Sequence, residues 1–121
     1  MKDFLVGRIK SFKYAFKGAW LLITTEHSIM AQLFIAFVMT VMGFYFSITK
    51  NEWMFQILTI GLVLGIEGMN TAVEKMADFV HPDHHQKIGF IKDVAAGAVL
   101  FAGFVAVIMG FIIYFPYFSN L

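Results

Sequence analysis

Hydrophobic runs organise the chain. Residues 29–48 carry no charged side chain. About 20 residues at 1.5 Å each are enough to cross the roughly 30 Å hydrocarbon core of a bilayer. A polar turn, "TKNE" at 49–52, follows. A second helix is expected over 53–80, because Pro82 cannot continue it. "HPDHHQKIGFIKD" (81–93) reads as a polar connection, and a third span is expected over 94–115, with no charged side chain after Asp93. Short connections make consecutive helices antiparallel neighbours. Residues 1–27 have a different pattern. Phe4, Leu5, Ile9, Phe12, Phe16 and Trp20 recur at helical spacing, interspersed with Arg8, Lys10, Lys13 and Lys17. That suits a helix lying in the membrane interface, and a plain basic surface helix has much the same pattern. The expected fold is an all-α membrane protein of one domain, residues 1–121, with an N-terminal amphipathic interfacial helix and three transmembrane helices.

Composition agrees. The chain is 60% hydrophobic and 14% charged, against about half and a quarter for soluble domains. Cysteine is absent, which removes disulfides and thiolate metal sites and suits a reducing compartment. A net charge of +1 gives no electrostatic case for nucleic acid. "SFKYAFKGAWLLITTE" is broken by Lys13 and Lys17 and offers no cleavage site, so no removable signal peptide is expected. Basic residues set the orientation. Lys2, Arg8, Lys10, Lys13 and Lys17 precede the first span, and Lys75, Lys87 and Lys92 flank the 81–93 connection, against Lys50 alone in the other turn. The N-terminus and the 81–93 connection are expected on the cytoplasmic side. Glycines within the spans would allow close helix contact, although glycine is also common in membrane helices.

The second span carries "GIEGMNTAVEKMAD" from Gly65 to Asp78. At about 100° per residue, with Glu67 at zero, Asn70 falls near −60°, Glu74 near −20°, Asp78 near +20° and Thr71 near +40°. These side chains form one stripe, and Ile66, Met69, Val73 and Met76 are mainly opposite. Glu67 and Glu74 stand about 10 Å apart along the axis, too far to share a proton. The layout suits a base and a metal ligand. Desolvation raises a carboxylate's proton affinity, so a deeper glutamate can accept a proton near neutral pH. A glutamate nearer the interface stays ionised and can hold Mg²⁺, which takes one or two protein carboxylates with phosphate oxygens and waters. Glu26, at the same end of the first span, is a natural second ligand. A buried packing network between helices is the bland alternative, but several polar groups on one intramembrane face favour a functional site.

"HPDHHQ" (81–86) has the residue types of a zinc site, but its spacing matches no usual zinc pattern and no cysteine assists. A helix stop at Pro82 followed by Asp83 as N-cap, with Gln86 three residues on, explains it better. A phosphate-facing role at that helix start is compatible.

"EGMNTAVEKMAD" followed by "HHQKIGFIKDVAAGAVL" resembles the bacterial integral-membrane diacylglycerol kinase/undecaprenol kinase family. The resemblance covers nearly the whole chain, including "RIKSFKYAFKG" and the Glu26 position. It implies a homotrimer in the bacterial cytoplasmic (inner) membrane, with composite sites between protomers. The ATP γ-phosphoryl group passes to the hydroxyl of a membrane lipid alcohol at the cytoplasmic face. Glu67 matches the catalytic base, Glu26 and Glu74 the Mg²⁺ ligands, and Asn70 the polar group beside the base. Asp78 completes the motif in a supporting role. Lys92 and Asp93 match nucleotide contacts, and Tyr14, Asp83, His84 and His85 match further ATP-contacting positions, as do Glu26 and Glu74. The "NTA" form resembles the undecaprenol branch, whereas "NSA" is more typical of the diacylglycerol branch. Met30 stands where the family usually has arginine, Gly68 where a bulky aliphatic residue is common, and Arg8 lies one residue from a nucleotide-contacting arginine position.

Two other function classes fit the stripe. A small transporter would use Glu67 as an intramembrane carrier, but "WMFQILTIGLVL" offers only Gln56 and Thr59 as polar steps. A non-catalytic assembly protein would use the stripe to hold helices together.

Overall fold

A computed structural model describes residues 1–121. The chain forms α1 (Lys2–Thr25), α2 (His27–Phe46), α3 (Lys50–Val80) and α4 (Gln86–Ser119), with no strands. The last three are long and apolar enough to cross a membrane. The expected all-α membrane architecture is therefore present.

Each boundary has a local cause. Glu26 leaves helical geometry (φ −107°, ψ 113°) and separates α1 from α2, while its carbonyl accepts from Met30 N–H at 3.1 Å. Ser47 closes α2 in the left-handed region (φ 52°, ψ 54°), and Ile48 N–H bonds back to the Gly43 carbonyl at 3.1 Å, which satisfies an orphaned carbonyl at the helix end. The expected turn at 49–52 is mostly the first turn of α3. Thr49 Oγ1 accepts from Glu52 N–H at 3.2 Å, and Glu52 Oε1 accepts from Thr49 N–H at 2.9 Å. This reciprocal box starts the helix three residues ahead of Trp53. At its other end α4 begins at Gln86 rather than near Val94, so most of the expected 81–93 connection is helical. The cap is His85, whose ring accepts from Lys87 N–H at 3.1 Å, and Asp83 does not fill that role. Lys87, Lys92 and Asp93 made this stretch look like a loop; they project from a helix that extends past the apolar run.

Packing is concentrated at the α2–α3 turn. Ile48, Ile113 and Tyr114 form the buried core there, with Met39, Met42, Phe46 and Trp53 packed around them. Gly43 makes the turn possible, because a Cβ on it would stand 2.6 Å from the Trp53 ring. Two polar links staple α4 into place. The Tyr114 hydroxyl lies 2.5 Å from Gln56 Oε1 and 3.1 Å from the Met39 carbonyl, which also accepts from Gln56 Nε2 at 3.1 Å. Tyr117 donates to Glu52 Oε1 at 2.5 Å.

The single chain as a whole is open. Only 11 of 121 residues are buried, and 9379 Å² is accessible. A soluble globular chain of 13.7 kDa would expose about 6,600 Å². The surplus is apolar helix face, suited to lipid or to other protein helices. α1 has no buried residue at all.

Tyr114→Phe leaves the buried Gln56 oxygen without its donor. The expected loss is on the order of 1 kcal/mol, read as a lowered unfolding midpoint in detergent with helical content unchanged. An unchanged midpoint would mean that the staple contributes nothing.

Candidate active site

The polar stripe of α3 folds as one face, but its members sit in different surroundings. Glu67 is 7% exposed and is the only buried carboxylate in the chain. Its carboxylate has no hydrogen-bond or ion-pair partner within the chain; its backbone carbonyl accepts from the Thr71 hydroxyl at 3.2 Å. Thr71 is buried beside it. One turn further, Asn70 Nδ2 donates to Glu74 Oε1 at 3.2 Å, and Glu74 is exposed. Asn70 Oδ1 is buried and accepts nothing from the chain. Such an orphan acceptor costs about 1–3 kcal/mol, so it marks a place where a donor from outside the chain would be stabilising. Asp78 is exposed and pairs with Lys92 of α4 at 2.5 Å.

The break at Glu26 turns that carboxylate toward α3, where it pairs with Lys75 at 3.2 Å. Glu26 is partly shielded and Lys75 largely exposed. Lys75 follows Glu74 directly, so the pair brings the α1–α2 junction against the segment of α3 that carries Glu74. In the sequence Lys75 marks orientation alone. Its partner is set by tertiary packing, and no local pattern points to it. Lys75 also supplies a cation to Glu26 where Met30, 37% exposed, has none.

The remaining predicted residues ring this end. Lys92 is engaged by Asp78, whereas the adjacent Asp93 projects freely. Asp83, His84 and His85 are exposed in the α3–α4 connection, where His81 Nδ1 donates to the Asp83 carbonyl at 2.6 Å. Tyr14 lies on α1, 68% exposed. None of these residues touches the Glu67–Glu74 face within one chain by hydrogen bond or ion pair, apart from the Lys92–Asp78 link. No three His, Asp or Glu side chains converge on one point.

Chemically, this end combines a buried carboxylate without a partner in the chain, exposed carboxylates, and a basic fringe. The opposite half of the bundle is different. A cavity of about 380 Å³ between α2, α3 and α4 is lined mainly by apolar side chains, with Gln32, Gln56 and Thr59 its polar members. Gln56 is taken up by Met39 and Tyr114, and Thr59 Oγ1 bonds to the Phe55 carbonyl at 2.7 Å. Those groups leave no chain of free polar sites across the membrane.

Replacing Lys75 by Met removes the partner of Glu26. Because Lys75 is 70% exposed, the expected change in unfolding free energy is within about 1 kcal/mol. A much larger loss in a detergent unfolding titration would mean that packing shields the pair.

Residues 13–114 match the prokaryotic diacylglycerol kinase family. The chain is 34% identical over 107 residues to the undecaprenol kinase of Bacillus subtilis, covering 88% of this chain and 87% of that one. It is 29% identical over 112 residues to the diacylglycerol kinase of Haemophilus influenzae, covering 92% and 95%. The diacylglycerol kinase of Synechocystis is 32% identical over 101 residues, covering 83% and 58%. The chain belongs to the prokaryotic diacylglycerol kinase family, a family of lipid kinases.

Proposed function

We propose that this lipid kinase transfers the γ-phosphoryl group of ATP to the hydroxyl of a membrane lipid alcohol, with undecaprenol favoured over diacylglycerol. The observation that carries the mechanism is Glu67, a carboxylate buried in a bilayer helix with no partner in its own chain. It accepts the proton as the lipid oxygen attacks the γ-phosphorus and the bond to the ADP oxygen breaks. The proton then resides on Glu67, the phosphoryl group on the lipid, and ADP departs. Asn70 stands beside this pair and offers its unpaired Oδ1 to a donor on the substrates.

Glu26 and Glu74 are the proposed holders of Mg²⁺. Their oxygen-only donor set fits a hard cation that keeps most of its waters. Bound there, the ion would neutralise charge on the transferring phosphate. Two protein carboxylates suffice for such a site, so convergence of three within the chain is not required. Lys92 and Asp93, with Tyr14, Asp83, His84 and His85, are the proposed nucleotide contacts. Lys92 would exchange Asp78 for a phosphate oxygen, and Asp78 is thereby a supporting residue. Positioning and charge neutralisation are the main demands of phosphoryl transfer.

A homotrimer in the bacterial inner membrane, with the N-terminus and site cytoplasmic, completes the reading. The large accessible apolar surface supports further helix contact. So do Gly61, Gly65, Gly97 and Gly103, whose missing Cβ atoms face open space in one chain. A transporter is disfavoured because Gln56 and Thr59 are already satisfied. A purely structural role for the stripe leaves the unpaired Glu67 unexplained.

The test uses purified protein in bilayers with Mg²⁺-ATP, offered undecaprenol and diacylglycerol side by side. Phosphorylation of undecaprenol at the higher kcat/KM is expected, with loss of transfer when divalent cation is chelated. Faster transfer to diacylglycerol would reverse the substrate assignment. ATP consumption independent of either alcohol would remove the reading altogether.

A further inference from the structure

The last two turns of α1 meet the rest of the molecule along one edge. Gly18, Leu22 and Glu26 are half-buried there, and the residues between them are exposed. Two contacts fix this edge to α3. Glu26 pairs with Lys75. Leu22 packs at Gly68, where its Cδ1 lies 3.2 Å from the position a Cβ on residue 68 would take. That separation is shorter than an ordinary carbon–carbon contact, so Leu22 occupies the space that a side chain at position 68 would need. Gly68 directly follows Glu67. The interfacial helix therefore contributes a side chain that packs against the residue next to Glu67 in the chain, in a gap left by the glycine.

This position matters for what can approach Glu67. A lipid hydroxyl reaching it brings along the atoms next to its own carbon. In a polyprenol that neighbourhood is one hydrocarbon chain. In a diacylglycerol it is a glycerol carrying two ester-linked chains, which is wider and more polar. An apolar isobutyl group at the approach accommodates the first at lower cost than the second.

We propose that Leu22, seated over Gly68, is a specificity-determining residue that selects single-chain alcohols over diacylglycerol at the acceptor site. The inference rests on the reading of Glu67 as the base. Leu22 acts on the difference between acceptors, so it is separable from catalysis. Trimming it should open the approach and narrow the preference, while the nucleotide side is untouched. A shape difference of one or a few methylenes is worth roughly 10–200-fold in kcat/KM.

The experiment measures kcat/KM for undecaprenol and for diacylglycerol in the same bilayers, for the unaltered chain and for Leu22→Ala, Leu22→Val and Leu22→Met. The ratio of the two constants is expected to fall at least about tenfold in Leu22→Ala. Leu22→Val should lie between, Leu22→Met should stay nearest the unaltered ratio, and KM for ATP should be unchanged throughout. If Leu22→Ala unfolds, the Val and Met pair still orders the ratios. An unchanged ratio, whether both rates fall together or neither falls, would overturn the proposal. Transfer to neither alcohol by the unaltered chain would overturn the kinase reading, and this inference with it.

Discussion

The constraint on which the rest of the molecule depends is the burial of Glu67 in a helix that must also cross a bilayer. A charged side chain at the centre of such a helix costs about 2.5–3.5 kcal/mol on insertion scales. The chain limits that cost in several ways. Glu67 lies in the half of α3 that leads to the polar α3–α4 connection. Thr71, Asn70 and Glu74 follow on the same face and connect it to exposed positions. α3 has 31 residues, or about 46 Å of helix, so Lys75 and Asp78 can project beyond the hydrocarbon. What remains is one largely buried acidic side chain without an internal partner.

The two ends of the bundle divide the work. At the α2–α3 turn, Thr49, Glu52 and Gln56 are all paired: Thr49 with Glu52, Glu52 with Tyr117, Gln56 with Tyr114 and Met39. The buried core also sits there. At the other end each pair has one well-exposed partner, as in Lys92–Asp78 and Lys75–Glu26, and Asn70 Oδ1 has no partner. Exposed pairs contribute little stability, so the proposed exchange of partners for substrates would cost little. The hydrogen bonds of Tyr114 and Tyr117 tie α4 to α3 at the first end, and the Lys92–Asp78 pair links them at the second.

Much of this was legible in the sequence. Uncharged runs located the spans, and helical periodicity alone put Glu67, Asn70, Thr71, Glu74 and Asp78 on one stripe. Depth along the helix then distinguished Glu67 from Glu74, as the exposures bear out. Other features were hidden for identifiable reasons. The start of α4 was misplaced because Lys87, Lys92 and Asp93 mimic a loop by hydropathy, while a histidine ring supplies the cap. No pattern along the chain pairs the hydroxyls of Tyr114 and Tyr117 with Gln56 and Glu52, although they form the staple. Gly68 stood out as unusual, but Leu22 as the side chain filling its place depends on the fold of the α1–α2 junction. Pairings between helices follow from packing, which single-helix patterns do not encode.

Glu67 is the central claim, and separating binding from transfer tests it most directly. Glu67→Gln keeps the shape and hydrogen-bonding length of the side chain but cannot take a proton. Paired measurements of ATP affinity and single-turnover phosphoryl transfer, in bilayers containing the lipid alcohol, isolate that one property. The account predicts ATP affinity within about twofold of the unaltered chain and transfer slowed by at least about 10²-fold. Transfer at an undiminished rate would contradict it.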